Sequence, residues 1–307
     1  MRDVAVICGP TAAGKSALAL GIAARTGAAI VSADSRQVVR RFDVGTAKPT
    51  AAERARVLHF GLDVVEPTER YSAARFHDDA LGWLAECDAA GRPAIVVGGT
   101  GFYLRALEQP LFAEPPLDPA ARAALERELA DLPVPALRER VARLDPPLAH
   151  LGRTQLLRAI EVATLTGRPL SHWHRDAARA ATLRLRWLVV DPGAALADRI
   201  ERRIHAMLDA GWEREVAALV ADVPGDAPAW KACGYDLLRE AALGVRTRAD
   251  AIARTVIDTR QYAKRQRTWF RNQLDEARVL RLDPGAPGAL DRALAWWRTL
   301  HPEERTA

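Results

Sequence analysis

One eight-residue stretch near the start, Gly9-Pro10-Thr11-Ala12-Ala13-Gly14-Lys15-Ser16, constrains this chain more than any other. It follows an apolar run, Val4 to Cys8, that reads as a buried strand, and it opens into Ala17 to Ala23, which reads as a helix. The pattern G-x-x-x-x-G-K-[ST] between a strand and a helix is a phosphate-binding loop in the context that gives it meaning. Its glycines let the backbone curl until several N–H groups point inward. The helix start adds partial positive charge, Lys15 a full one, and Ser16 a hydroxyl for a magnesium ion. Gly9 to Ser16 is therefore expected to hold a di- or triphosphate.

Bulk properties leave room for this and exclude other classes. At 307 residues the chain can form one large domain plus an insertion. It is 49% hydrophobic and 27% charged, the balance of a globular protein, and its net charge of +5 points to a polyanionic partner. Cys8, Cys87 and Cys233 show no C-x-x-C spacing, so neither a disulfide framework nor a zinc site is expected. The first strand leaves no room for a signal peptide, and no apolar run approaches membrane-spanning length. The expectation is a soluble, cytoplasmic protein.

Along the chain, Ala28 to Asp34 reads as a second strand ending in an acid. The carboxyl ends of parallel strands face the ligand crevice, so Asp34 either looks toward the phosphate loop or caps the next helix. Gly45-Thr46-Ala47-Lys48-Pro49 reads as a loop from which Lys48 can reach a phosphate. His59 to Tyr71 reads as irregular and Ala73 to Ala89 as a helix. Pro93 to Val97 reads as another buried strand, followed by Gly98-Gly99-Thr100-Gly101 and a helix through Leu107. Where nucleotide-hydrolysing P-loop proteins often carry a magnesium-binding Asp, this strand end has glycines and Thr100. They form either a ligand approach or a tight turn.

From about Leu111 the character changes. Glu114-Pro115-Pro116 reads as a linker, Asp118-Pro119 as a helix cap, and helices are expected over Ala120–Leu132, Ala136–Leu144 and Arg153–Thr166. Residues 112–182 thus read as an all-helical insertion in a P-loop NTPase-like α/β core of residues 1–111 and 183–307. Most of its arginines alternate with acids as a solvated face, and His172 with His174 reads as a surface loop. The sheet resumes at Leu185 to Asp191, where Asp191 reads as a cap or turn rather than a magnesium acid. Arg199 and Arg203 lie one turn apart, either clamping a phosphate or lining an exposed basic helix. The final long helix, about Arg248 to Ala277, carries Arg260, Lys264, Arg267 and Arg271 at i, i+4, i+7 and i+11. Four like charges on one face with little acid nearby favour contact with a phosphate backbone.

Taken together, Gly9–Ser16, Ser32-Ala33-Asp34-Ser35-Arg36-Gln37-Val38, Gly45–Pro49, Tyr71–Phe76 and Gly98–Tyr103 resemble successive motifs of the tRNA dimethylallyltransferase (tRNA isopentenyltransferase) family. So do Arg158–Val162, Arg199–Leu208, Gly234-Tyr235 and Thr259–Trp269, in order over nearly the whole chain. The resemblance implies transfer of a dimethylallyl group from its diphosphate to N6 of the adenine beside the anticodon. It makes the loop a cradle for a prenyl donor and Mg2+ the cofactor, with Ser16 as its ligand. It implies Arg203 as a diphosphate clamp, Asp34 as the base for the amine, and Thr100 as a second hold on the adenine. Ser35, Arg36, Gln37, Arg122, Arg158, Lys231, Gly234 and Tyr235 join the basic stripe as implied tRNA contacts. The partners implied are tRNA and dimethylallyl diphosphate, with no membrane and a monomeric enzyme. The chain departs from the family at Val39 (usually Tyr), at Arg41 (usually Gly) and at Leu151-Gly152-Arg153-Thr154-Gln155 (usually Asn-Asp-x-Gln-Arg), so the polar RNA contacts of that last segment, from Thr154 and Gln155, are mostly missing. Competing functions are prenylation of free AMP, a small-molecule P-loop kinase, and a non-catalytic RNA-binding protein with a relic loop. The helical insertion and basic helix argue against the first, and intact Lys15, Ser16, Asp34 and Arg203 against the last.

Overall fold

The opening apolar run forms β1 (Arg2–Cys8), buried from Val4 onward, as a strand covered on both sheet faces must be. The structure, a computed structural model, describes residues 2–109, 117–176 and 182–301. After β1 come α1 (Lys15–Thr26), β2 (Ala29–Ser32), α2 (Ala51–Arg56), β3 (His59–Phe60), α3 (Ala73–Ala89), β4 (Ala94–Gly98) and α4 (Gly101–Glu108). Four helices follow: α5 (Pro119–Leu129), α6 (Val134–Leu144), α7 (Arg153–Thr166) and α8 (Leu170–Asp176). The chain then returns to the sheet with β5 (Leu183–Val190), α9 (Leu196–Asp209), α10 (Trp212–Val220), α11 (Tyr235–Ala242), α12 (Arg248–Asn272), β6 (Val279–Leu282) and α13 (Ala289–Leu300).

The six strands pair in parallel in the order β3-β2-β4-β1-β5-β6. The phosphate-loop motif, the segment from Asp34 and the Gly98-Gly99-Thr100 turn therefore leave neighbouring strands at the same sheet end, where such folds bind ligands. On one side α1 and α13 cover the sheet through Ile22, Ala293 and Trp297, all fully buried. The expected docking of the last helix by its tryptophans is thus observed for Trp297. Two details differ from the sequence reading. His59-Phe60 is a two-residue edge strand paired with Ile30 and Val31, and the long helix stops at Asn272, followed by β6. Both strands are too short to show a period-two pattern.

Residues Gln109–Ala180 form a compact unit of their own, and the rest of the chain forms the other. The described part of the smaller unit is helical, and among the described residues no strand interrupts it. Its N-terminal cap is the one read from sequence: the Asp118 carboxylate accepts the Ala121 N–H at 2.8 Å, with Pro119 in the first turn. Leu137, Val141, Leu156 and Ile160 make its core. Arg153, within the segment that departs from the family pattern, donates to the Ala130 and Leu132 carbonyls, which lie just past the end of α5. His172 and His174 lie on α8 rather than in a loop. The Glu114-Pro115-Pro116 linker falls outside the described residues.

A second apolar cluster packs around Phe42, Trp212, Trp230 and Tyr235 in the larger unit. It fixes the Gly45–Pro49 loop. The Glu215 carboxylate accepts the Asp43 and Val44 N–H groups at 3.0 and 2.7 Å, and the Tyr235 hydroxyl accepts that of Gly45 at 3.0 Å. A Cβ on Gly45 would lie 2.0 Å from Trp212 Nε1. Replacing Gly45 with Ala is expected to cost about 1–3 kcal/mol of stability, the usual penalty of overpacking. A urea unfolding midpoint equal to that of the parent protein would contradict this tight seat.

Candidate active site

The phosphate loop is shaped by contacts that only its residue types permit. Gly9 has φ of 142°, and a Cβ there would lie 2.1 Å from the Val190 carbonyl oxygen, so the turn off β1 needs glycine. The Ala13 N–H donates to the Pro10 carbonyl at 3.3 Å and Lys15 Nζ to the same carbonyl at 2.7 Å. Arg199 Nε donates to the Ala12 carbonyl at 3.0 Å. Arg199 thus braces the loop, while Arg203, one turn on along α9, lines the cavity. Lys15 and Ser16 begin α1, and Ser16 is exposed.

A cavity of about 200 Å³ lies beside the loop. Thr11, Lys15, Ser16, Asp34, Arg203 and Tyr262 are among its lining residues. Their charges are close enough to perturb one another. Burial and the neighbouring Arg203 cation lower the Lys15 ammonium to about 8, against a pull upward from Asp34. Burial also depresses the Arg203 guanidinium, again opposed by Asp34. The Tyr262 phenol is pushed up to about 12 by burial and by the Asp34 carboxylate. Lysine, arginine and carboxylate thus converge from α1, α9 and the end of β2. An open groove lined by Gly14, Lys15, Ser16, Arg199, Arg202 and Arg203 lies alongside.

Of the two readings of Asp34, the structure supports the cavity-facing one and corrects the helix cap, since the segment after it is a turn and the next helix, α2, is capped by Thr50. Asp34 lines the cavity, and its Oδ1 accepts the Arg36 N–H at 2.8 Å, closing a local turn. Thr100 holds the adjacent segment: its Oγ1 accepts the Ser35 N–H at 3.1 Å. Arg36 is half-buried at the cavity wall. The Gln37 amide donates to the Thr46 and Ala47 carbonyls at 3.2 and 3.0 Å, and its oxygen accepts from Ser32 Oγ at 3.1 Å. Gln37 therefore ties β2 to the Gly45 loop, and both ends of its side chain are engaged within the protein.

Several other expectations are corrected. Lys48 does not reach outward: its side chain is 2% exposed, and Nζ binds Asp43 and Asp63 at 2.6 Å each and the Val39 carbonyl. Tyr235 is fully buried, donating its hydroxyl to Glu215, and Gly234 is buried against Trp212, so neither offers a surface to RNA. Lys231 beside them is exposed. The basic stripe of α12 meets acids from other elements: Arg260 pairs with Glu201 at 2.8 Å, and Arg267 binds both oxygens of Asp191. Asp191 also accepts the Gly193 N–H at 2.9 Å, confirming it as a turn residue. Lys264 and Arg271 stay exposed on that face. In the smaller unit, Arg122 and Arg158 converge on the buried carboxylate of Glu161.

Sequence reasoning misses Gln266. It is 7% exposed on α12, accepts the Thr11 N–H at 2.8 Å and donates to the Gly99 carbonyl at 2.8 Å. The signal that could find it is a glutamine in register with Ala263 and Phe270 on the buried face of the helix. Thr11 N–H is consequently not among the amides that point into the cradle.

A parallel sheet whose first strand runs into this loop, with two cations and a carboxylate facing one cavity, defines a P-loop α/β protein with an anion site. Comparison with known proteins narrows the class. The family model described as IPP transferase matches residues 37–273, and that described as isopentenyl transferase matches residues 2–60. The chain belongs to the IPP transferase family and is a prenyltransferase. The tRNA dimethylallyltransferase of Gloeobacter violaceus is 44% identical over 283 residues, covering 90% of this chain and 91% of its own. That of Rhodospirillum centenum is 45% identical over 296 residues, covering 92% of each. Among solved structures, the tRNA isopentenylpyrophosphate transferase of Bacillus halodurans has a TM-score of 0.69 at 30% identity over 99% of both chains. A eukaryotic dimethylallyltransferase acting on tRNA shares the fold, with a TM-score of 0.75 at 24% identity over 99% of this chain and 77% of that one. No helix among the described residues is long and apolar enough to cross a membrane.

The depressed Lys15 makes anion binding depend on pH in a known direction. Free Lys15 loses its charge as pH rises through about 8, whereas a bound diphosphate favours the ammonium form. Affinity for inorganic diphosphate is therefore expected to fall above that pH, with net proton uptake on binding. Calorimetry in buffers of different ionisation enthalpy measures this uptake, and its absence near pH 8 would contradict the charge coupling.

Proposed function

We propose that this enzyme transfers the dimethylallyl group of dimethylallyl diphosphate to N6 of the adenine 3′-adjacent to the anticodon in tRNA, releasing diphosphate. The observation that carries the reading is the meeting of Lys15, Arg203 and Asp34 around one cavity. In the step, the C1–O bond of the donor breaks and a bond from N6 to C1 forms. The bonding pair leaves with diphosphate, and one N6 proton passes to Asp34. In this reading charge grows on the leaving group as the allylic bond ionises, and Lys15, Arg203 and the start of α1, which line the cavity, are the groups proposed to stabilise it. The adenine amine is a weak nucleophile because its lone pair is delocalised into the ring, so a carboxylate that accepts its hydrogen bond and then its proton assists attack. Thr100, hydrogen-bonded to Ser35 beside Asp34, orders the acceptor side. The base must leave its stack to enter.

A divalent ion, magnesium in this proposal, fits the donor set. Among the described residues no three His, Cys, Asp or Glu side chains gather as a cage. The exposed Ser16 hydroxyl suits an ion that keeps several waters and takes further ligands from substrate phosphates. When bound, it supplies additional neutralisation of the diphosphate. For the tRNA, Lys264, Arg271 and Lys231 are the proposed contacts with open faces, and Arg36 a half-buried one at the cavity wall. Arg122 and Arg158, both engaged with Glu161, are further proposed contacts in the smaller unit.

Mass analysis of tRNA nucleosides after incubation with dimethylallyl diphosphate and magnesium tests the proposal, with AMP and a hydroxyl acceptor with ATP as the competing arms. Asp34→Ala is expected to lower turnover by about 10²–10⁴-fold, the usual contribution of a general base, while tRNA affinity stays within about threefold. Unchanged turnover would remove Asp34 from that role. Lys264→Glu with Arg271→Glu is expected to weaken tRNA binding and lower the salt slope by about 0.7–0.9 per lost phosphate contact. Binding of inorganic diphosphate should not change, and an unaltered salt slope would displace the RNA from this face.

A further inference from the structure

We propose that Gln266 is a positioning residue for the transfer, its single side-chain amide locking the diphosphate loop to the acceptor loop. The inference rests on the function proposed above. Gln266 projects from α12 into the sheet end and is 7% exposed. Its Oε1 accepts from Thr11 N, within the phosphate loop, and its Nε2 donates to the carbonyl of Gly99, the residue before Thr100. One rigid planar group thus joins the two segments that hold the two reactants. On one side the loop leads to Lys15 and its Pro10 contact. On the other, Thr100 Oγ1 holds the Ser35 N–H next to Asp34.

The chemistry of the seat accepts few alternatives. The position needs an acceptor at one end and a donor at the other simultaneously, which an uncharged amide supplies. A leucine would leave the Thr11 N–H and Gly99 carbonyl without this partner in a buried place. An ionised glutamate accepts from Thr11 but sets a second negative oxygen against Gly99. A protonated glutamate regains both bonds, since its carbonyl accepts and its O–H donates. The seat is also close-fitting, as a Cβ on Gly99 would lie 2.4 Å from Gln266 Nε2. Displacement of either loop would alter the alignment of donor and amine, to which transfer rates are sensitive.

The test compares the parent enzyme with Gln266→Leu and Gln266→Glu. Transfer to an anticodon stem-loop RNA is followed from about pH 6 to about pH 8.5, a window that spans a glutamate raised by burial. Inorganic diphosphate binding with magnesium is followed by calorimetry over the same range. Gln266→Leu is expected to lose about 10–100-fold in kcat/KM at every pH, mainly in kcat. Gln266→Glu should match it at the alkaline end. As a ratio to the parent it should recover about tenfold at the acid end. Circular dichroism checks folding; if the leucine variant does not fold, the ratio for the glutamate variant decides. A glutamate-to-parent ratio flat with pH, or both variants within twofold of the parent, overturns the proposal. If the parent shows no prenyl transfer but diphosphate affinity follows the same pH pattern, the lock stands and the functional reading fails.

Discussion

The structure depends on holding two cations, Lys15 and Arg203, side by side at the end of a buried strand. Their mutual repulsion and their burial both favour loss of charge, and the depressed Lys15 records that cost. Asp34 offsets part of it. Such a cluster is tolerated in an empty protein only if its supports are stiff. They are: β1 is closed in by β4 and β5, Arg199 braces the loop from α9, and Gln266 fastens it from α12. Under the function proposed above, an incoming diphosphate supplies negative charge to this cluster.

The segment that follows β2 is equally heavily braced. Asp34 is anchored by its own turn, Ser35 by Thr100, and Gln37 by the Gly45 loop. That loop is in turn nailed down by Glu215, Tyr235 and the buried Lys48. Under the proposed function, a carboxylate that receives a proton must avoid a strong ion-pair partner yet stay in place. Holding it through backbone neighbours rather than through a salt bridge meets both needs.

How much of the fold and site is legible in the chain depends on how local each signal is. The phosphate loop is legible because every residue of its pattern lies within eight positions. The sheet strands β1 and β4 are legible because a parallel strand covered on both faces is continuously apolar, and β5 because its second half, Trp187 to Val190, is. Tyr235 and Arg267 escape a sequence reading for one shared reason: their partners, Glu215 and Asp191, are remote enough in sequence that charge or aromatic character looks unassigned. Lys48, between Asp43 five residues before it and Asp63 farther on, escapes because nothing local marks its burial. Arg122 falls to the same effect as Tyr235 and Arg267, and Arg158, only three residues from Glu161, escapes because the burial of that carboxylate is invisible in an alternating pattern of charges. Arg41, where the family usually has glycine, has a φ of 69° and reaches Asp222 at 2.8 Å. The structure thus gives the reason glycine suits that place, and the ion pair that accompanies its replacement.

The margins of the sheet bear on how such a protein stays dispersed. One border is β3, two residues long; the other is β6, four residues interrupted by the exposed Arg281. Unpaired strand borders are templates for neighbouring molecules, and short or charged ones are poor templates. Borders this short and charged give the strands of a neighbouring copy little to pair with.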